Sequence, residues 1–380
     1  MIDNLKSQKG LASVIVILIV VGIAVVVGGI YWWQKSVAPT TPESATPTKV
    51  NESPTKTDEL KVKSEKTVVT GTAGLNGYYP KFSNDGKRIV FRTLETMEKD
   101  AGLWIVNSDG TGLKRLTSEL ATGGGTYDFA WSPDDKFISY ITTSYYPAPS
   151  AEELKVVEVE TGAIKSVFQI SNEDFMIRRQ KWISQKEIAF VHLNEPNISN
   201  TSIKVVDVNL GKVIQPSKEI TLYFWYIKGS SMVSPGQRST IASVSTDGTV
   251  REITPDGAMS EPLVFPDGKR IAYATNNEMV IMNIDGSNPK VISSEITGGA
   301  NPALSPGGDM FAYNKTRDDG LVLLESNIYI MNVDGTGEKK LTESGNKMAM
   351  QSSWSPNGSK IVISYYGTGE IGVIEIEKSK

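Results

Sequence analysis

The chain has 380 residues, 39% hydrophobic and 22% charged, with a formal net charge of −4. That length accommodates two or three ordinary domains or one large repeat domain, and the balanced charge excludes a nucleic-acid binder, which needs a basic patch against phosphate. There is no cysteine and a single histidine, His192, so disulfides, thiol nucleophiles, thiolate metal sites and histidine-rich metal centres are excluded by count.

Residues 1–10 form a short tail carrying Lys6 and Lys9. From Leu11 to Trp33 no residue is charged ("LASVIVILIVVGIAVVVGGIYWW"), and at about 1.5 Å per residue this run spans a hydrocarbon core of roughly 30 Å. Tyr31, Trp32 and Trp33 stand where aromatic rings favour the membrane interface. The reading is an uncleaved anchor, N-terminus cytoplasmic and the bulk of the chain extracytoplasmic, periplasmic or at the cell surface. A cleaved signal peptide is the alternative, with "SVA" at Ser36–Ala38 as the cut; the long apolar run and Pro39 behind the cut disfavour it. A pilin-like leader cut after Gly10 would want a glutamate where Ile15 stands. Residues 34–65, rich in Pro, Thr, Ser, Glu and Lys, are expected to be a disordered stalk, because too little apolar surface is present to offset chain entropy.

Beyond residue 66 the sequence repeats. "LWIVNSDGTGLKRLT" begins at Leu103 and "IYIMNVDGTGEKKLT" at Ile328. Six stretches share a strand, a tight turn and a second strand: "YPKFSNDGKRIVF" from Tyr79, "YDFAWSPDDKFISY" from Tyr127, "IRRQKWISQKEIAF" from Ile177, "EPLVFPDGKRIAY" from Glu261, "ANPALSPGGDMFAY" from Ala300 and "QSSWSPNGSKIVIS" from Gln351. Ser-Pro-Asp-Gly supplies a type I turn followed by a left-handed glycine, and Asp-Gly is a strong hairpin signal. Each unit therefore has four strands, a to d.

A further unit is expected between residues 219 and 259, with "TLYFWYI" as strand a, "SSMVS" as b, "STIASVS" as c and "TVREI" as d. The last unit offers no strand d after Glu377, while "EKTVVTGT" (Glu65–Thr72) is a strand without a unit. Pairing the two closes the ring and leaves neither edge open. The fold class is all-β: a seven-bladed β-propeller of four-stranded antiparallel blades over residues 66–380, preceded by one N-terminal transmembrane helix.

The Trp131-Ser-Pro-Asp134, Trp354-Ser-Pro-Asn-Gly358, Asn107 and Asn332 segments resemble the repeats of TolB-type (WD-like) propellers. The resemblance covers roughly residues 66–380 and implies the fold more than a function. TolB proteins carry an α/β domain ahead of the propeller; here a stalk and an anchor occupy that place, so a Tol-system role does not carry over. Peptidase relatives add a hydrolase domain, which the chain lacks after its propeller.

No G-x-S-x-G motif occurs, and His192, within "EIAFVHL", reads as a half-buried strand residue. Asp109, Asp285 and Asp334 read as turn formers, without the carboxylate ladder of a calcium loop. Trp131, Trp182 and Trp354, with Phe82, Phe265 and Leu304, recur once per unit and read as packing between blades. No catalytic residue, cofactor or metal is expected. The a–b and c–d turns share one face of the disc, and the longer b–c and d–a connections share the other, where recognition is expected. Tyr145, Tyr146, Pro147 and Tyr127 are the candidate contacts there, since exposed tyrosines suit interfaces. The expected role is a membrane-anchored scaffold that binds a protein, peptide or glycan without catalysis. The alternative is an enzyme, a carboxylate-based hydrolase or lyase, in the central channel, for which Asp, Glu and Arg at the channel would speak. A purely structural envelope subunit is a third reading.

Overall fold

A computed structural model describes residues 60–378 apart from 71–76, 94–101, 119–127, 145–150, 171–174, 195–197, 217, 228–238, 259, 276, 295, 297–301, 320–321, 344 and 346. The predicted tail and anchor and the stalk up to residue 59 lie outside these residues, as do Tyr127, Tyr145, Tyr146 and Pro147. Among the described residues no helix is long and apolar enough to cross a membrane.

The strands fall into seven antiparallel sheets, the blades. Blade 1 holds Gly77–Phe82, Arg88–Thr93, Gly102–Asn107 and Lys114–Arg115 as strands a to d, and blade 2 holds Phe129–Trp131, Phe137–Ser144, Ala151–Glu158 and Ile164–Ile170. Blade 3 is Phe175–Trp182, Glu187–Asn194, Ser202–Asp207 and Lys212–Ile214. Blade 5 is Leu263–Val264, Arg270–Ala274, Met279–Asn283 and Lys290–Ser293, and blade 6 is Ala303–Leu304, Met310–Asp318, Leu323–Asn332 and Lys339–Lys340. The two opening repeats thus belong to blades 1 and 6.

Blade 7 takes Met348–Trp354, Lys360–Tyr366 and Ile371–Lys378 from the C-terminal end and Leu60–Val69 as its outermost strand. The expected clasp is therefore present, and it starts at Leu60, ahead of the predicted Glu65. Its register runs from Leu60 opposite Lys378 to Val69 opposite Ile371. Glu65 accepts a hydrogen bond from the Tyr365 hydroxyl, and Lys63 Nζ lies 2.9 Å from Glu375.

Blade 4 departs from the predicted four strands. Its sheet has three among the described residues: Thr221–Ile227, Ser239–Ser245 and Val250–Glu252. "STIASVS" and "TVREI" are strands c and d as expected, but "TLYFWYI" is b, not a. The hydrogen bonds prove the assignment. In blades 1, 2, 3, 5 and 6 the residue after strand c donates to the carbonyl just before strand b, as Ser108 does to Lys87, Ile284 to Lys269 and Val333 to Asp309, and here Thr246 donates to Ile220. "TLYFWYI" pairs directly with "STIASVS", Thr221 opposite Ser245 through Ile227 opposite Ser239, so the predicted "SSMVS" strand does not come between them. Among the described residues no strand a, the innermost, is present in this blade, and too few residues separate Ile214 from Thr221 to run inward and return.

Burial follows the seams. Among the described residues seven apolar clusters occur, one at each boundary between neighbouring blades; that of blades 7 and 1 joins Val68, Val69 and Val373 to Phe82, Phe91 and Val106. Trp131, Trp182 and Trp354 are all buried there, and their indole N–H groups reach back to the preceding blade, to the carbonyls of Lys81, Ala130 and Ala303. A tryptophan at this place thus fills a seam and satisfies its N–H. Phe265 is one position out of line: Phe265 N donates to Arg270 O just as Ser132 N donates to Phe137 O, so Val264 aligns with the tryptophans.

The rim is latched too. Basic side chains on strand d reach the c–d turn of the next blade: Lys66 to Asp109 O (2.6 Å), Lys114 to Glu160 O (2.9 Å), Lys165 to Val208 O (2.7 Å) and Arg251 to Asp285 O (3.1 Å). Those turns need glycine doubly. Gly335 has φ +90°, and a Cβ on it would sit 2.2 Å from Ile292 O of the preceding blade.

Candidate functional site: the central channel

Strand a of six blades, together with the front of strand b in blade 4, encloses a central cavity of about 700 Å³. Alignment on one recurring strand-a position (Phe82, Trp131, Trp182, Val264, Leu304, Trp354) picks out a column of which Tyr79, Asp128, Arg179 and Gln351 line the cavity. Three positions earlier stand Tyr79, Asp128, Arg179, Glu261, Asn301 and Gln351; all except Asn301 are described. This column is polar in every blade that has a strand a.

Tyr79, Arg179 and Gln351 adopt left-handed φ values of +55°, +52° and +47°. Each sits at a register shift of its strand, between Tyr78 and Lys81, Arg178 and Lys181, and Met350 and Ser352. Such bulges in non-glycine residues cost on the order of 1 kcal/mol each and re-aim a side chain.

The re-aimed side chains stitch blades together around the cavity. Gln351 Oε1 accepts from Tyr79 N at 2.9 Å, and Asp128 Oδ2 accepts from Gln180 N at 2.9 Å. Arg179 reaches furthest: its Nε donates to Tyr223 O at 3.0 Å and its Nη2 to Pro262 O at 3.2 Å. Glu261 Oε2 accepts from Trp225 N at 3.1 Å and lies 3.7 Å from Arg179 Nε. Tyr223 and Trp225 are the residues whose backbone groups the absent strand a of blade 4 would have engaged. An arginine from one flank and a glutamate from the other take its place.

Lys81 completes the charged set. Its Nζ donates to Phe129 O at 2.7 Å and lies 4.7 Å from the centre of the Phe129 ring. Burial pulls the Lys81 ammonium below its usual range, partly opposed by the Asp128 carboxylate and reinforced by Arg179. Burial likewise pushes the Glu261 carboxyl up, against the pull of Arg179 and of the Trp225 N–H. The Lys81 ammonium and the Glu261 carboxyl are thus each shifted toward the neutral form.

Other candidate residues have structural roles. His192 is half-buried in strand b of blade 3, edge-on to Phe168 at 6.1 Å. Asp109, Asp285 and Asp334 each accept from the residue two positions ahead, Thr111 Oγ1 at 2.7 Å, Ser287 Oγ at 2.6 Å and Thr336 Oγ1 at 2.6 Å, which holds all three carboxyls low. Among the described residues no group of three or more histidines, aspartates or glutamates is placed to hold a metal. Sequence reasoning put its binding candidates on the long-connection face, where they lie outside the described residues, and gave the channel to the enzymatic alternative without naming its residues; the signal for them was the polar column three residues before one recurring strand-a position.

The fold and the channel define a seven-bladed β-propeller with a charged central cavity. No protein-family model matches the chain, and no curated protein matches it. Solved structures do. An oligogalacturonate lyase from Vibrio parahaemolyticus superposes with a TM-score of 0.54 at 14% identity, over 84% of this chain and 98% of that one. The β-propeller domain of the Trilobed protease from Pyrococcus furiosus gives 0.52 at 14% identity, over 81% and 96%. TolB from Acinetobacter baumannii is also among the matches, at 0.44 and 18% identity over 72% and 67%. The likeness to the first two is one of fold, and the seven-bladed ring agrees with the TolB-type resemblance of the repeats.

Proposed function

We propose that this chain is a binding propeller whose ligand site is the central channel, held outside the cytoplasm by the apolar segment 11–33. The ligand is a protein, peptide or glycan. One observation carries this reading: Lys81, Asp128 and Arg179 line one cavity of about 700 Å³, and Glu261 stands 3.7 Å from Arg179 Nε. A scaffold that needs only to close a ring has no use for partly buried charges around its cavity, and apolar side chains would close it at lower cost. A cavity of this size with a few convergent polar groups is the usual form of a binding site. The long-connection face, with Tyr127, Tyr145, Tyr146 and Pro147, is the competing location for the same role.

The shifts at Lys81 and Glu261 bear on a second reading. Lowering a lysine and raising a carboxyl are the directions that general base and acid catalysis use, which favours a carboxylate-based hydrolase or lyase as the second reading.

Peptide and glycan arrays probed with the full chain in detergent test the assignment. Binding that falls at least tenfold in Lys81→Met and is retained in the Tyr145→Ala/Tyr146→Ala double variant is expected. The reverse pattern would move the site to the long-connection face. Turnover of a bound array member, lost in Glu261→Gln, would establish the enzymatic reading.

A further inference from the structure

Blade 4 presents an open strand edge to the channel. Six blades fill the innermost place with a strand of their own, whereas here, among the described residues, Thr221–Ile227 pairs on one side only, with Ser239–Ser245. On the other side Tyr223 O and Trp225 N are met by side chains, Arg179 Nε at 3.0 Å and Glu261 Oε2 at 3.1 Å. A guanidinium on a carbonyl and a carboxylate on an N–H reproduce, in miniature, the donor and acceptor that a pairing strand would offer.

We propose that the ligand of the channel is an extended segment of a partner polypeptide, which adds to this edge as the missing strand a of blade 4. The inference rests on the channel reading and narrows it to one ligand class. Three features select a peptide. The edge offers an acceptor and a donor on alternate residues, a spacing that an extended backbone matches and a glycan does not. The flanking blades carry strand a in this place, Phe175–Trp182 and Leu263–Val264, so the neighbours on both sides are strands. The flanks are oppositely charged: once displaced from the edge, Arg179 and Glu261 stand ready for an acidic and a basic side chain of the incoming segment. The edge does not draw its strand from the connection before it, since residues 215–220 are too few.

Arg179 and Glu261 act as a resident cap that the peptide displaces. Their mutual contact at 3.7 Å gives the released pair a partner. A cap of this kind also guards the edge against indiscriminate pairing while it is empty.

The test uses the full chain in detergent. Random peptides displayed on phage are selected on it, and the best binder is synthesised with and without N-methyl groups on alternate amides. Hydrogen exchange at Tyr223 and Trp225 should slow at least about tenfold when the peptide binds. N-methylation in one of the two registers should abolish binding. Unchanged exchange at these two amides, binding that tolerates methylation in both registers, or amides already as protected in the free chain as those of Ser239–Ser245 would each overturn the proposal. Peptides or glycans that bind in a Lys81-dependent manner while leaving both amides exposed would overturn the strand and spare the channel. Binding indifferent to Lys81 throughout would remove the channel reading itself.

Discussion

Arg179 of blade 3 donates its Nε–H to the carbonyl oxygen of Tyr223 in blade 4 at 3.0 Å and its Nη2–H to Pro262 O in blade 5 at 3.2 Å. One side chain therefore ties three consecutive blades at the place where the inner ring is interrupted. Arg179→Ala removes both bonds, leaves Glu261 without its cation, and puts a β-carbon without a polar anchor at φ +52°. The expected loss is about 2–3 kcal/mol, read by urea unfolding of the detergent-solubilised chain. Arg179→Asn, which tolerates the left-handed region, should recover part of it. A wild-type midpoint in the alanine variant would show that the bridge adds nothing to the closure.

The ring has a second vulnerable point at its clasp. Val68 and Val69 are buried in the seam between blades 7 and 1, and Leu60–Val69 covers the outer edge of Ile371–Lys378. Removing residues 60–69 exposes that edge and empties the seam. At roughly 1.5–3 kcal/mol for each buried valine, with the strand pairing lost as well, the melting temperature should fall steeply. Lys66→Met, which severs only the bond to Asp109 O, should cost under about 1 kcal/mol. Equal effects of deletion and point variant would contradict a ring sealed by packing.

Asp135 supports a third prediction. It takes the turn position that glycine holds at Gly86, Gly268, Gly308 and Gly358, at φ +57°. Its carboxylate accepts from Asn84 N (2.8 Å), Asn84 Nδ2 (2.7 Å) and Asp85 N (2.9 Å) of blade 1. The repeat gives up an easy backbone for an inter-blade clamp. Asp135→Gly relieves the backbone and loses the clamp, for a net cost of about 1–2 kcal/mol; Asp135→Ala loses the clamp and keeps the strain, and should cost about 1 kcal/mol more. A glycine variant as stable as wild type would mean that the clamp only balances its own strain.

The ring was legible in the sequence because each blade repeats its own turn chemistry: Ser-Pro-Asp-Gly and Asp-Gly are local signals that no distant contact overrides. The clasp was legible for a related reason, since a strand left over at one end matched a vacancy at the other. Blade 4 was misread because "TLYFWYI" is equally apolar as strand a or b, and only the bond from Thr246 N to Ile220 O fixes its place. Phe265 was aligned by its size; hydrogen bonding puts the exposed Val264 level with the tryptophans, while Phe265, one residue on, packs in the seam as read. The channel charges were present in the aligned repeats as single polar residues. That Arg179 and Glu261 converge across blade 4 depends on a strand being absent, and periodicity carries no mark of an absence.

His192 gives the cleanest readout of pH, because it is the one histidine of the chain. Burial lowers its pKa from the usual 6.5, and nearby Lys204 lowers it further. The folded protein therefore binds this proton less readily than the unfolded chain does. The associated stability is fully present above the unfolded value and is lost as pH falls from there through the folded value. In heteronuclear NMR the single imidazole should titrate below 6.5. The melting temperature of wild type relative to His192→Gln should decline as the solution is acidified from about pH 7 to about pH 5. Lys204→Gln should raise the imidazole pKa toward its ordinary value while leaving burial as the main cause of the shift. An imidazole that titrates at or above 6.5, or a wild-type-to-variant difference independent of pH, would place His192 in water and not in the packed strand that holds it against Phe168.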